Sequence, residues 1–401
     1  MTSVHRRSVT AASGMGLALG FSFGNIGPIA ELVSEEYGVA LATVGVMTTA
    51  VALTHALAQV PSGRIVDRFG AKRIALTALA LVVAANAVAL IDPSLELAIP
   101  LRALMGLGTG AGFIAGTQYV REAGAVAQGV FGGAALGGAG LAVAVMPTIA
   151  EWLGWQAPWI SAVVVVCAAC SILALAPRGP RPARAGRAPR VAPATRRLAL
   201  FRDASLYRLA TMHMAGMGLA IVLANWIVTL LTRAGGLDEQ IAGILGSLIL
   251  LVGIATRPLG GWIFRRYPRS VRRWLVASIA GCAVGALTLA AARPTALVVV
   301  GAVLIGFWSG IPFAAAFQGA VHRWPDAPGA AVGMVNMLGN VVIVVGTPLL
   351  GLAFSLPFDG QLGFVIVAAI WFFALLAIPS NDEMGIEPAG RRSARPQPGA
   401  A

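Results

Sequence analysis

Only a handful of side chains inside the apolar stretches of this chain could do chemistry. His55 and His213 carry imidazoles that titrate near neutrality and can take or pass a proton. Arg102 is a permanent cation able to attract an anion, and at mid-span it costs roughly 2.5–3.5 kcal/mol to insert in lipid. Asn25, Asn225, Trp226 and Trp308 offer hydrogen bonds or ring faces to a small solute. Asn336 and Asn340 stand at i, i+4 and share a helix face, a spacing suited first to helix–helix hydrogen bonding. Glu31 borders an apolar stretch, and no Asp or Glu lies clearly in the middle of one. Cys167 and Cys170 have CxxC spacing within an apolar run, away from the positive charge a reactive thiolate needs, and with Cys282 read as apolar filler. There is no nucleophile–base pair, no metal-ligand cluster and no GxxxxGK[ST] phosphate loop. Neither an enzyme nor an ATP-driven pump is expected, and no cofactor is.

These groups must be positioned by elements that live in lipid. Of 401 residues, 58% are hydrophobic and 11% charged, with a mean hydropathy of +0.82. A soluble chain is about 25% charged, so a cytosolic enzyme, nucleic-acid binder or disordered scaffold is excluded. Segments of roughly 20 apolar residues span a bilayer. Twelve are expected, near 9–31, 42–62, 74–91, 98–119, 125–147, 158–176, 206–232, 240–262, 274–292, 295–318, 330–354 and 363–379. The first is too long for a signal peptide and reads as a retained helix.

The net charge of +13 is explained by topology rather than by nucleic acid. With both termini cytoplasmic, 26 of the 29 basic residues fall on the inner side, Arg257 counted among them, while Glu31, Glu35, Glu36, Asp92, Glu96, Glu151, Asp238, Glu239 and Asp359 fall outside. Anionic lipid of the inner leaflet is the expected counter-charge. Residues 177–205, rich in Pro, Ala and Arg, read as a basic cytoplasmic linker between six-helix bundles at 9–176 and 206–379, with cytoplasmic tails at 1–8 and 380–401. The compact loops and Ala/Arg/Gly-rich composition point to a prokaryotic inner membrane.

The halves repeat. Gly14-Met15-Gly16-Leu17-Ala18 recurs as Gly216-Met217-Gly218-Leu219-Ala220, offset by 202. Gly45 and Gly63 match Gly243 and Gly261 at 198; Gly106, Gly110 and Phe113 match Gly306, Gly310 and Phe313 at 200; Gly132, Gly138 and Pro147 match Gly333, Gly339 and Pro348 at 201. Six intervening spans make this a parallel repeat about the membrane normal.

Between spans 2 and 3 the chain reads Gly63-Arg64-Ile65-Val66-Asp67-Arg68-Phe69-Gly70-Ala71-Lys72-Arg73. This resembles the signature loop of the major facilitator superfamily, G-x-x-x-D-[RK]-x-G-x-[RK]-[RK]. The resemblance covers residues 9–379 and implies an all-α membrane protein of twelve helices in two pseudo-symmetric six-helix bundles. It implies that Gly63, Asp67, Arg68, Gly70, Lys72 and Arg73 form a gate, the basic residues pairing with carboxylates in one state and releasing in the other. In the second half Arg265 stands where Asp67 would be, which argues against a symmetric clamp. Arg102-x-x-x-Gly106-x-Gly108-x-Gly110 is similar to a second pattern of the superfamily, one linked to proton coupling or anion attraction; the alternative is an arginine snorkelling to the outer surface. Spans 1, 4, 7 and 10 line the path in this superfamily, which places Asn25, Asn225, Trp226 and Trp308 there.

The drug-antiporter pattern of span 5, G-x8-G-x3-G-P-x2-G-G, is met at Gly124, Gly133 and Gly137 but broken at Gly138, Leu141 and Ala142. The expected function is secondary transport of a small organic or anionic solute by alternating access, with a proton or other ion as possible partner. A cavity with Arg102 and two histidines but no central carboxylate favours an anion, and removal of Arg102 is expected to lower uptake. Proton-coupled efflux of amphipathic compounds and a non-transporting membrane sensor are the alternatives.

Overall fold

The computed structural model describes residues 3–120, 123, 125–177, 200–325 and 328–386. Nearly all of the expected linker and the end of the C-terminal tail lie outside the described residues. The described residues are almost wholly helical and contain no strand. The helices are α1 Ser3–Gly24, α2 Ala30–Glu36, α3 Leu41–Phe69, α4 Ala71–Val88, α5 Leu95–Tyr119, α6 Ala125–Leu153 and α7 Ala157–Leu175, then α8 Ala204–His213, α9 Leu219–Arg233, α10 Glu239–Arg266, α11 Val271–Ala290, α12 Thr295–Ser309, α13 Pro312–Arg323, α14 Pro328–Ala353 and α15 Gln361–Ala374. The first helix begins at Ser3, inside the stretch expected as a tail.

Among the described residues, ten segments are long and apolar enough to cross a membrane. One of them, Gly129–Leu175, takes in most of α6 and all of α7, separated by a turn in which Gly154 adopts φ +54°. A further apolar helix, Gln361–Ala377, is shorter. Three traverses are interrupted: α1 and α2 by Pro28, α12 and α13 by Pro312, and α8 and α9 by a π-helical turn, Met214–Gly218. Proline removes a helix donor, and a π turn shifts the register by one residue.

Glycine makes the packing close. A Cβ on Gly138 would collide with the Leu17 carbonyl, and one on Gly20 with Ala135, so α1 and α6 meet backbone to backbone. Within the first half α3 and α4 pack on α5, and α7 on α1 and α4; in the second, α11 packs on α12 and α15, and α14 on α8, α9 and α13. The halves join along two seams, α3 with α14 and α6 with α10. Each seam helix has an internal proline: Pro61, Pro147, Pro258 and Pro348. The lost hydrogen bond lets such a helix bend at the seam.

Candidate functional site

Successive helices alternate in direction. The turns near residues 70 and 267 thus share one end, rich in arginine, and those near 37, 154 and 236 share the opposite, acidic end. At the acidic end the halves are bound together. Arg233 Nε donates to Glu31 Oε1 at 2.6 Å, Thr48 Oγ1 to Asn225 Oδ1 at 3.0 Å, and Thr49 Oγ1 to the Val344 carbonyl at 2.7 Å. Gly45 lies against Pro348, and Gly243 against Val143 and Pro147. Toward the arginine-rich end the seams open. Gly63, Gly129, Gly132 and Gly333 have no described neighbour within 4 Å of a Cβ position.

Between these ends a polar group joins the halves. Asn336 Nδ2 donates to Gln59 Oε1 at 2.5 Å, and His213 Nε2 lies 3.0 Å from Asn336 Oδ1. His213 is buried, edge-on to Phe317 with centroids 4.8 Å apart and tilted against Phe313 at 5.9 Å. The other face of the cluster is Arg257, whose guanidinium carbon stands 4.9 Å from the Phe313 centroid. Gln59, Arg257, Asn336 and His213 each lie about 12–15 Å along their helices from the arginine-rich end, at 1.5 Å per residue. That is close to half of a ~30 Å hydrocarbon core. Gln59 Nε2 is buried with no hydrogen-bond partner among the described residues.

Sequence reasoning does not single out Arg257 or Gln59. Arg257 counts there with the loop arginines, although it falls within an apolar span; the structure places it well inside α10. Gln59 is its equivalent in the other half at the 198 offset of the glycine pairs, a signal the repeat already contains. The face of Arg257 follows from helix geometry. Ile254 meets Gly133 and Gly137 of α6, and Leu250 and Leu251 meet Gly140. Arg257, three residues beyond Ile254, continues the same face toward the open seam at Gly132 and Gly129. It is half-buried, and among the described residues no ion pair involves it; those found are Arg208–Glu383, Arg233–Glu31 and Arg323–Asp203.

Arg102 is different. It neither snorkels nor reaches the seams, but is wholly buried within the first half, near the acidic end. Its Nη1 donates to the Ser22 carbonyl at 3.3 Å and to Asn25 Oδ1 at 3.1 Å, and its guanidinium sits 5.6 Å from the Trp159 ring centroid. Its Nε and Nη2 have no hydrogen-bond partner among the described residues. Asn25 Nδ2 in turn donates to the Pro158 carbonyl at 2.6 Å, so Arg102 and Asn25 lock α1, α5 and α7 together.

The other sequence candidates divide similarly. His55 Nδ1 bonds Thr109 Oγ1 at 3.0 Å, with Phe23 and Phe113 around the ring. Phe113 and Phe313 are repeat equivalents, so each half holds one histidine against the same phenylalanine. Asn225 belongs to the closed acidic end, where Trp226 is fully buried and donates to the Thr347 carbonyl at 2.8 Å. Trp308 turns toward α11, packed on Gly281 and Trp274, away from the seams. Asn340 bonds its own helix at the Asn336 carbonyl, whereas among the described hydrogen bonds Asn336 reaches another element.

In the signature loop Gly70 takes φ +89°, a conformation that needs glycine, at the α3–α4 junction. The described basic residues there do not meet carboxylates. Lys72 Nζ donates to the Ala174 and Ala176 carbonyls at the C-terminus of α7, where a cation also complements the helix dipole. Arg68 and Arg73 stand 5.1 and 6.0 Å from the Phe69 ring centroid. The Asp67 side chain lies outside the described residues.

Comparison with known proteins bears on this arrangement. A family model of the Major Facilitator Superfamily matches residues 12–347. The chain is 26% identical over 355 residues to the 4-hydroxybenzoate transporter PcaK of Pseudomonas putida, covering 78% of each chain. It is 27% identical over 334 residues to the probable nitrate/nitrite transporter NarK2 of Mycobacterium tuberculosis, covering 79% of this chain and 81% of that one. Among solved structures, the nucleoside transporter NupG matches with a TM-score of 0.73 at 12% identity, over 96% of this chain and 100% of that one.

Proposed function

The chain belongs to the Major Facilitator Superfamily and is a secondary transporter of small solutes, and from that premise we propose that its cargo is a small organic anion, an aromatic carboxylate foremost, held by Arg257. The observation that carries this is Arg257 itself. It is a half-buried cation at mid-depth with no carboxylate partner among the described residues, on the face of α10 that continues toward the open seam. An unpaired cation in a low-dielectric setting attracts an anion far more strongly than it does in water. Phe313, stacked beneath the guanidinium, offers an aromatic cargo an edge or face contact as well. Two relatives named for anionic solutes, 4-hydroxybenzoate and nitrate or nitrite, support the same charge.

The cycle follows from the seams. With the acidic end closed and the arginine-rich end open, the site faces the side that carries the basic loops, which the orientation rule assigns to the cytoplasm of a prokaryotic inner membrane, with both termini there. Rocking about the proline-bearing seam helices would part Glu31 from Arg233 and close Gly63, Gly129, Gly132 and Gly333 instead. Gly63, Asp67, Arg68, Gly70, Lys72 and Arg73 of the signature loop act in that closure. The exposed arginines at 265–273 bind anionic headgroups of the inner leaflet.

The test is uptake into proteoliposomes. Labelled 4-hydroxybenzoate should enter saturably and be competed by related carboxylates, and nitrate by a similar assay marks how small the cargo can be. Uptake of neither anion, with neutral or cationic amphiphiles carried instead, would reverse the assignment toward efflux of amphipathic compounds.

A further inference from the structure

We propose that Arg233 is an outer docking site for the anion: the cargo's charged group takes the place that the Glu31 carboxylate fills while the acidic end is closed, and so unlatches that end. This rests on the anionic cargo proposed above, and adds where the anion first binds and what its binding does to the contact between the halves.

Charge at the acidic end is unevenly spread. Glu31, Glu35, Glu151 and Asp238 all lie near enough to Glu239 to act on it by charge. Beyond the 26 basic residues of the inner side and Arg102, the chain has two, Arg233 and Arg293. The fold brings them to one place. Arg233 ends α9, and Arg293, in the turn before α12, donates from Nε to the carbonyl of the neighbouring Ala234 at 3.0 Å. The two turns also approach closely at Gly235, where a Cβ would stand 3.2 Å from the Ala292 carbonyl. An anion arriving at a negative rim thus finds one positive point, made by two arginines.

The geometry at Arg233 is that of a site holding a substitute. Its Nε is engaged with Glu31 Oε1 at 2.6 Å, and among the described ion pairs the Nη edge meets no carboxylate. The Arg233 and Glu31 side chains keep 36% and 30% of their surface exposed, so the pair is within reach of a solute. The guanidinium carbon lies 6.0 Å from the Phe354 ring centroid, and Phe354 in turn packs on Trp226 at 5.5 Å. Arg257 beside Phe313 has the same make-up, a cation on a phenylalanine. The carboxylate of an aromatic acid and that of Glu31 are the same functional group, and a guanidinium takes either through its planar fork. The two arginines are separate stations. Along α10, Arg257 lies about 27 Å from the acidic end at 1.5 Å per residue, too far for one small anion to touch both.

Exchange of partners couples docking to opening. Glu31 belongs to the first half and Arg233 to the second, so their ion pair holds the halves shut. An anion on Arg233 competes with Glu31 for it. It therefore binds the opened form better than the closed one, and shifts the equilibrium by that difference. The other hydrogen bonds that join the halves there, Thr48 with Asn225 and Thr49 with the Val344 carbonyl, are neutral. Among the described contacts, the ion pair is thus the latch an anion can compete for.

The experiment measures initial uptake of labelled 4-hydroxybenzoate by right-side-out and inside-out membrane vesicles. It reads the ratio of the KM at the acidic face to the KM at the arginine-rich face. Glu31→Gln breaks the latch and keeps Arg233, which should lower the ratio. Adding Arg233→Gln to Glu31→Gln then isolates docking, because the ion pair is already gone. The ratio should rise by roughly two- to fivefold, the range for a partly exposed ion pair. Arg233→Met in the same background, which keeps an apolar stem on Phe354, should do the same and serves where the first double variant does not fold. A ratio that stays where Glu31→Gln left it makes Arg233 a latch alone and overturns the inference. Arg257→Gln raising KM at both faces would in that case leave the central anion site standing. Transport of neither 4-hydroxybenzoate nor nitrate by wild type removes both.

Discussion

Replacing Arg257 with Gln is the sharpest perturbation the structure offers. The change removes a cation that faces the open seam and keeps a side chain of comparable reach with hydrogen-bonding capacity. A charge-assisted contact is worth about 1.5–3 kcal/mol, which at 1.4 kcal/mol per decade predicts a rise of roughly 10- to 150-fold in KM for 4-hydroxybenzoate. Arg257→Lys should fall between, because it keeps the charge but loses the flat guanidinium lying over Phe313. The assay is the initial rate of labelled uptake against concentration, with thermal stability measured in parallel. Arg102→Gln is the control. It leaves the Ser22 carbonyl and Asn25 Oδ1 short of a donor inside the first half, so stability should fall by about 1–3 kcal/mol while KM stays near wild type. A KM for Arg257→Gln within twofold of wild type, with a large rise in Arg102→Gln, would refute the placement of the anion and return it to Arg102.

Other outcomes follow from the same geometry. Gly132→Leu and Gly333→Leu, at positions with open space, should leave thermal stability nearly unchanged yet stop flux by propping the seam open, whereas Gly138→Val, set against the Leu17 carbonyl, should lose stability and expression. At the arginine-rich end, burial alone would raise the Asp203 carboxyl, but hydrogen bonds from Arg323, Trp324 and the Ser205 N–H outweigh it and hold it below the ordinary carboxylate range. A carboxyl lowered on folding stabilises above its unfolded value of about 3.9 and loses that contribution as pH falls through the folded value. Melting temperature should therefore drop on acidification through that window, and the drop should be smaller in Asp203→Asn.

Much of the architecture is legible because lipid is a strict solvent. Apolar length, arginine asymmetry and the parallel glycine repeat together specify helices in two matching halves, and the loop at 63–73 ties them to a family. The polar site is harder to read. Arg102 stands out as a lone charge in an apolar run, and the same feature in Arg257 is masked by five arginines close behind it at 263–273. Asn336 and Asn340 look alike at i, i+4, yet one spans the seam and the other bonds its own backbone.

The sequence by itself thus determined the solvent, the helical class, the duplicated plan and the small set of polar groups, since each of these depends on composition and on spacing along one chain. Only the tertiary structure decided which arginine is enclosed and which faces the seam, which end of the molecule is shut, and that His213, Asn336 and Gln59 form one chain. Those facts depend on the rotation of each helix about its axis and on the meeting of residues more than a hundred positions apart. Composition is silent on both. Steric closeness at glycine and the demand of every buried donor for an acceptor settle them.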